Sequence, residues 1–141
     1  MTSLLDRVND SFARQGMMQH LGAKVERVEP GLVEIVLPYS DKVTQQQGGF
    51  HGGAIGAVAD IAAGYAGLTV APEGMEVVTV EYKINFLASF QGGELRAVGR
   101  VMKAGKRIIV TTAEVLHVDA SGKTSSCALM QQTLAPVPKT Y

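Results

Sequence analysis

The segment from Gly48 to Ala71 restricts the possible folds of this chain more than any other part of the sequence. It is the longest apolar stretch, it contains seven glycines, and Asp60 near its middle is the only formally charged residue from position 43 to position 72. In a membrane span, a carboxylate at the centre would cost about 2.5–3.5 kcal/mol. Apolar residues occur on every face between Ala54 and Leu68, so we expect a helix buried inside a protein and not in a bilayer.

Length and composition predict one globular domain that covers residues 1–141, since domains most often have about 100–150 residues. Thirteen basic residues balance thirteen acidic ones, which argues against nucleic acid or an anionic membrane as a partner. The only cysteine, Cys127, cannot form an internal disulfide, and no Cys/His cluster indicates a metal site. Charged residues interrupt the apolar ones in residues 1–15, which is not the pattern of a signal peptide. We therefore expect a cytoplasmic protein.

The segments around the apolar helix predict an antiparallel sheet. Ser3 is a suitable N-cap for an amphipathic helix within residues 1–16. Two strand-like runs flank Pro30-Gly31, and four more follow residues 72–74. The pattern is typical of an α+β fold in which about five or six antiparallel strands, within residues 21–134, wrap around one long central helix. Such a sheet has edges to cover, so we also expect self-association.

Asp60 is the first candidate for a functional side chain. It lies in the middle of the helix, so its side chain does not cap a helix end. No Lys or Arg lies three or four positions away to pair with it. One interpretation is a carboxylate that simply faces solvent. The other is a functional group, because an unpaired buried carboxylate is costly and such groups concentrate at functional sites. The sequence favours the functional interpretation.

His51, Gly52 and Gly53 form the second candidate, at the start of the same helix. The first N–H groups of a helix have no intrahelical acceptor and lie at the positive end of its dipole. Glycines at this point allow a substrate oxygen to approach bare amides, as in an oxyanion hole. The alternative is that the glycines only permit a tight turn, with His51 as a packed or hydrogen-bonded residue at the helix entry.

The spacing of Gly52 and Asp60 limits how they can act together. They are eight positions apart, about 12 Å along a continuous helix. One helix therefore cannot bring an oxyanion donor and an attacking group to the same carbonyl. Two antiparallel copies related by a two-fold axis can, since each Asp60 then lies near the partner's Gly52.

The sequence around these candidates is similar to that of a known family. The matching segments are Gln45-Gln46-Gln47-Gly48-Gly49-Phe50-His51-Gly52-Gly53 followed by Asp60, then Val78-Thr79-Val80-Glu81, Ile84-Asn85-Phe86-Leu87 and Gly105-Lys106. In this combination, residues 21–134 resemble the hotdog-fold acyl-CoA thioesterases of the phenylacetate-degradation type. The resemblance implies a protein with the hotdog fold that hydrolyses an acyl- or aryl-acyl-CoA to the free acid and CoA, as a homodimer or a dimer of dimers. A thioester is a good acyl donor, so a carboxylate and an oxyanion hole can suffice, and we expect no cofactor or metal.

The resemblance also implies a role for each of four residues. Asp60 is the nucleophile or the general base for water, and the amide of Gly52 polarises the thioester carbonyl. Gln45 aligns with a side-chain amide, often Asn in the family, that places the water or the thioester. Thr79 supplies an assisting hydroxyl from the same chain as Asp60. The neighbouring glutamines at positions 46 and 47 leave open which amide reaches the site.

Further substrate contacts are expected on the helix and at one strand turn. On the helix the candidates are His51, Gly53, Val58 and Ile61, and at the turn they are Lys103, Lys106 and Arg107. Basic residues near that turn often meet the CoA phosphates in the family. The alternatives are plain core packing for the apolar residues and a solvated hairpin tip for the basic ones.

Two other functions remain open on this sequence. A hydratase or dehydratase on the same scaffold would use a His together with an acid as its base pair, but the nine-residue spacing separates His51 from its own Asp60. A non-catalytic acyl-CoA-binding protein would use Asp60 only structurally.

Overall fold

The computed structural model describes residues 2–141, which form one antiparallel sheet with three α-helices. The elements are α1 (Leu4–Ala13), α2 (Gly16–Leu21), β1 (Lys24–Glu29), β2 (Leu32–Pro38), α3 (Gly52–Leu68), β3 (Met75–Phe86), β4 (Glu94–Ala104), β5 (Ile109–Val118) and β6 (Thr124–Pro138). The strand order is β1-β2-β4-β5-β6-β3, and every neighbouring pair is antiparallel. The predicted α+β architecture, with about five or six antiparallel strands around one long central helix, is thus confirmed, and the number of strands is six. β3 lies at one edge of this sheet.

Small residues allow α3 to lie directly on the sheet. Ala59, Ala62 and Ala63 of the helix are fully buried. Opposite them on β4, a Cβ at Gly99 would overlap the carbonyl oxygen of Ala62. Only glycine at this position permits such a close approach of strand and helix. None of the helices in residues 2–141 is long and apolar enough to cross a membrane.

The prediction that α3 is buried on every side is wrong along one strip of the helix. Gly53 is exposed, and Ala57, Asp60, Ile61 and Gly64 are only half-buried. These residues recur every three or four positions, so they share one face. The sheet covers the other faces, and this strip runs beside the edge strand β3.

The N-terminal segment forms two short helices and packs against the end of α3. The Ser3 hydroxyl caps α1 by accepting from the Asp6 N–H at 3.1 Å. The Arg7 guanidinium donates to the carbonyls of Ala71, Pro72 and Met75 at 3.1, 2.9 and 3.1 Å. These bonds fix α1 beside the second half of α3, where it forms one wall of a cavity.

Candidate active site

Asp60 lies in the half-buried strip of α3 and accepts hydrogen bonds from side chains on two strands. The Thr79 hydroxyl on β3 donates to Asp60 Oδ1 at 2.7 Å. Gln132 Nε2 on β6 donates to the same oxygen and, at 3.3 Å, to the Asp60 backbone carbonyl. Asp60 has no ion pair within residues 2–141, and its Oδ2 has no donor there either. Neutral polar groups therefore hold one carboxylate oxygen and leave the other available.

Gln132 is a site residue that the sequence reasoning missed. It is fully buried, and its Oε1 accepts from the Thr111 hydroxyl on β5 at 2.9 Å. The available signal was its position on β6. Met130 and Leu134, two positions before and after it, are buried, so Gln132 has the same inward orientation. A glutamine that points inward from a strand needs buried hydrogen-bond partners, and such a position is a candidate for a polar site.

A cavity of about 370 Å³ opens beside Asp60, between α1, α3 and β3. Ile61, Val77 and Leu134 form the apolar part of its lining. Val58, predicted to contact substrate together with Ile61, is fully buried in the core and does not line this cavity.

Gly64 lies one turn after Asp60 and lines the same cavity. A Cβ at Gly64 would meet no atom within 4 Å, so the space above it is open. A larger depression of about 700 Å³ on the outer face of the sheet contains none of the predicted site residues. The cavity beside Asp60 is therefore the candidate substrate site.

Tyr65 lines the cavity, and its hydroxyl group forms hydrogen bonds with two neighbouring side chains. Its hydroxyl accepts from Gln15 Nε2 at 2.8 Å and lies 3.0 Å from the Ser11 hydroxyl. Burial raises the pKa of Tyr65 to about 12, and the nearby Glu76 acts in the same direction. The phenol therefore keeps its proton at neutral pH and is not a base.

The start of α3 leaves one amide without a partner. His51 is the N-cap; its Nδ1 accepts from the Gly53 N–H at 2.7 Å, and its carbonyl accepts from the next two N–H groups at 3.0 Å each. Within residues 2–141 the Gly52 N–H has no acceptor. The Phe86 ring on β3 lies against Gly52, where a Cβ would be 3.4 Å from Phe86 Cζ. His51 thus satisfies Gly53 and leaves Gly52 as the free donor.

A single chain does not bring all the predicted site residues together. Gly52 and Asp60 lie on the same continuous helix, about 12 Å apart. Gln45 Oε1 accepts from the Gln47 N–H, and within residues 2–141 the Gln45 side chain has no hydrogen bond to Asp60, Thr79 or Gly52. Asp60 and Thr79 are in direct contact, whereas Gly52 is the first residue of α3 and Gln45 lies in the loop before it.

The basic residues Lys103, Lys106 and Arg107 lie around the turn between β4 and β5. All three are exposed, and in the described part of the chain none forms an ion pair. Thr79 is in register with Leu134, which is in register with Ile109 at the end of this turn. The turn is therefore two strands away from Thr79, and its positive charges are available to a ligand.

Comparisons with known proteins agree with this architecture. A model of the Thioesterase superfamily matches residues 47–121. The proofreading thioesterase EntH of Klebsiella pneumoniae is 32% identical over 107 residues, which cover 76% of this chain and 77% of EntH. A thioesterase family protein from Silicibacter pomeroyi is 36% identical, with a TM-score of 0.93, and the match covers 97% of this chain and 100% of that chain.

The PaaI protein from the phenylacetic acid degradation operon of E. coli shares the fold. Its TM-score is 0.84 at 21% identity, with 97% of this chain and 95% of that chain covered. The chain therefore belongs to the thioesterase superfamily, has the hotdog fold that its sequence predicts, and is a thioester hydrolase.

Proposed function

We propose that this protein hydrolyses acyl-CoA thioesters to the free acid and CoA at a site shared by two subunits. Asp60 acts as nucleophile or general base, and the Gly52 N–H of the second subunit holds the oxyanion. The observation that supports this most directly is the free Oδ2 of Asp60 beside a cavity of about 370 Å³. A reactive group at the wall of a partly apolar cavity is the usual arrangement of a small-molecule site.

In this mechanism the acyl group occupies the cavity, with its carbonyl carbon near Asp60. When Asp60 acts as a base, Oδ2 takes a proton from water, and the water oxygen attacks the carbonyl carbon. The oxyanion that forms is held by an amide at a helix start, the C–S bond breaks, and CoA leaves as a thiolate that takes up the proton. When Asp60 is the nucleophile, Oδ2 attacks the carbonyl carbon, the C–S bond breaks and CoA leaves as a thiolate; water then hydrolyses the anhydride to the free acid and the Asp60 carboxylate, and the released proton goes to the thiolate. Neither route needs a cofactor or a metal.

The edge strand β3 supports the dimer in this proposal. Its side chains Val80 and Phe86 are 60% and 54% exposed, and Val78 and Tyr82 are also exposed. A long edge strand with exposed apolar side chains is a template for pairing with another chain. The half-buried strip of α3 lies beside it and would be covered by the same contact.

The positions of two β3 residues give the expected register of this dimer. Thr79 is bonded to Asp60, and Phe86 lies against Gly52. When two β3 strands pair antiparallel about a two-fold axis at Lys83, and the bulge between Thr79 and Glu81 counts as one position, Thr79 lies opposite the partner's Phe86. Neighbouring strands are about 4.8 Å apart. Asp60 and the partner's Gly52 then meet at one site, which occurs twice per dimer.

Contacts to the CoA part of the substrate are also proposed. Lys103, Lys106 and Arg107 are exposed and without ion pairs in the described residues, so they suit the CoA phosphates. Gln45, His51 and Gly53 lie at or before the start of α3 and would flank the thioester that enters beside Gly52. The proposed location is the cytoplasm, in keeping with a substrate of this class.

The direct test is thiol release from a panel of short, medium, branched and aryl acyl-CoAs. We expect hydrolysis of at least one class, with one thiol released per acid formed. Hydration of enoyl-CoA in the absence of thiol release would contradict the proposal and favour a hydratase on this scaffold. Binding of acyl-CoA without either reaction would favour a binding protein.

Enlarging Gly64 is expected to restrict the acyl group. Gly64→Leu places a side chain in the open part of the cavity, so kcat/KM for the bulkiest accepted acyl-CoA should fall about tenfold or more. The smallest substrate should change less than about twofold in the same measurement. The free energy of unfolding should rise, because glycine inside a helix costs about 0.5–1 kcal/mol relative to residues that favour helices.

The matched control is Gly16→Leu at the start of α2, where a Cβ also meets no atom within 4 Å. Gly16 does not line the cavity, so this variant should keep the wild-type kcat/KM for both the bulkiest and the smallest acyl-CoA. An equal loss for large and small acyl groups in Gly64→Leu would show that the acyl chain binds elsewhere.

A further inference from the structure

Gln132 forms a bridge between Asp60 and the interior of the sheet. Its amide nitrogen donates to Asp60 Oδ1 and lies 3.3 Å from the Thr79 hydroxyl oxygen. Its amide oxygen accepts from the Thr111 hydroxyl at 2.9 Å. Gln132 and Thr111 are both fully buried, and they are direct cross-strand neighbours on β6 and β5. The carboxylate at the cavity is thus connected to a polar pair that solvent does not reach.

The chemistry of the three groups fixes the orientation of the amide. An ionised carboxylate can only accept hydrogen bonds, so the Gln132 NH₂ group must face Asp60. The amide oxygen then points to Thr111, whose hydroxyl can donate to it. In the reverse orientation the amide oxygen would face the carboxylate, and the single Thr79 hydroxyl proton could serve only one of these two acceptors. Only one arrangement satisfies all three side chains.

We propose that Gln132 is a positioning residue for thioester hydrolysis, with Thr111 as its support. This inference rests on the proposed function of Asp60. Thr79 and Gln132 both donate to Oδ1, and together they fix the rotation of the carboxyl group. Oδ2 is therefore held toward the cavity in the orientation needed to attack the thioester or to take a proton from water.

The need to fill the core does not explain why position 132 is a glutamine. Most of the side chains buried around it are apolar, and methionine would occupy nearly the same volume without an amide. Burying an amide is costly unless each of its polar atoms is paired. The pairing of every polar atom of Gln132 with Asp60, Thr79 or Thr111 indicates that the amide serves the carboxylate.

The first variant is Gln132→Met, which keeps the volume and removes both polar atoms. We expect kcat to fall about 10- to 100-fold, the range for loss of a hydrogen bond to a charged group, with KM changed less than about threefold.

A second variant separates positioning from stability. Gln132→Met leaves the buried Thr111 hydroxyl without a partner, and that alone can destabilise the sheet. The double variant Thr111→Val with Gln132→Met replaces the pair with apolar side chains of similar shape. We expect it to regain thermal stability but to keep the low kcat and the nearly unchanged KM. Thr111→Ser, which keeps the hydroxyl, should stay within about threefold of the wild-type kcat.

The outcomes distinguish this role from the proposed function. A wild-type protein that releases no thiol from any acyl-CoA contradicts the proposed function, and the role of Gln132 with it. An active wild type whose folded double variant keeps kcat within about threefold contradicts only the role of Gln132. A folded double variant with wild-type thermal stability, low kcat and unchanged KM supports it.

Discussion

Replacing Asp60 with asparagine is expected to lower kcat at least about a hundredfold while the fold and acyl-CoA binding are retained. Asparagine has nearly the same shape, and its amide oxygen can still accept from Thr79 and Gln132. At the cavity, however, an NH₂ group takes the place of Oδ2, and it can neither attack a thioester nor accept a proton from water. Thiol release at saturating acyl-CoA gives kcat, and titration with a non-hydrolysable thioether analogue gives the affinity.

The matched control for Asp60→Asn is Asp10→Asn on α1, which removes the same charge from an exposed carboxylate outside the cavity. It should keep full activity. Retention of more than about a tenth of kcat by a folded Asp60→Asn protein would exclude Asp60 as nucleophile or base. Equal activities near zero in the wild type and the variant would instead favour a binding protein.

Local sequence patterns were sufficient to find Asp60 and the start of α3. A lone carboxylate in an apolar helix is visible in the sequence, and the glycines after His51 mark the helix entry. Both signals arise from neighbouring positions in one element, so no knowledge of the tertiary arrangement is needed. The structure adds that His51 caps Gly53 and thereby leaves Gly52 as the free amide.

The contacts between β3 and α3 could not be predicted from the alternation of inward and outward side chains alone. A β-bulge lies between Thr79 and Glu81, so the strand changes its inward face there. Thr79 before the bulge contacts Asp60, and Tyr82 after it points toward Gly56 of α3. Strict alternation would place these two side chains on opposite faces.

Gln132 and the cavity wall depend on contacts between distant parts of the chain. Gln132 is 72 positions from Asp60, and Ser11 on α1 is 54 positions from Tyr65. Which residues meet at such distances is set by strand register and helix docking, and a shift of one residue would turn Gln132 to the outer face. A single sequence shows that Gln132 points inward, but it does not show which carboxylate it meets.

Gly52→Pro is expected to lower kcat about 100- to 1,000-fold, because it removes the N–H group that holds the oxyanion. Proline is well tolerated at the first position of a helix, where the N–H makes no intrahelical bond. His51 has φ −68° and ψ 135°, the extended conformation that a residue before proline prefers. Gly52→Ala is the matched control, since it keeps the N–H and adds a Cβ 3.4 Å from Phe86 Cζ. If Gly52→Ala lost as much activity as Gly52→Pro, the reaction would depend on the absence of a side chain at position 52 and not on the Gly52 N–H group.

The same two variants test whether the site crosses the subunit interface. In a mixed dimer of an Asp60→Asn chain and a Gly52→Pro chain, one site combines the intact Asp60 with the intact Gly52, and the other site lacks both. Mixed dimers purified through two different tags should therefore show about half of the wild-type activity per dimer, although each parent is nearly inactive. When both groups must come from one chain, no site in the mixed dimer is intact. Mixed dimers as inactive as their parents would thus show that Asp60 does not work with the partner's Gly52.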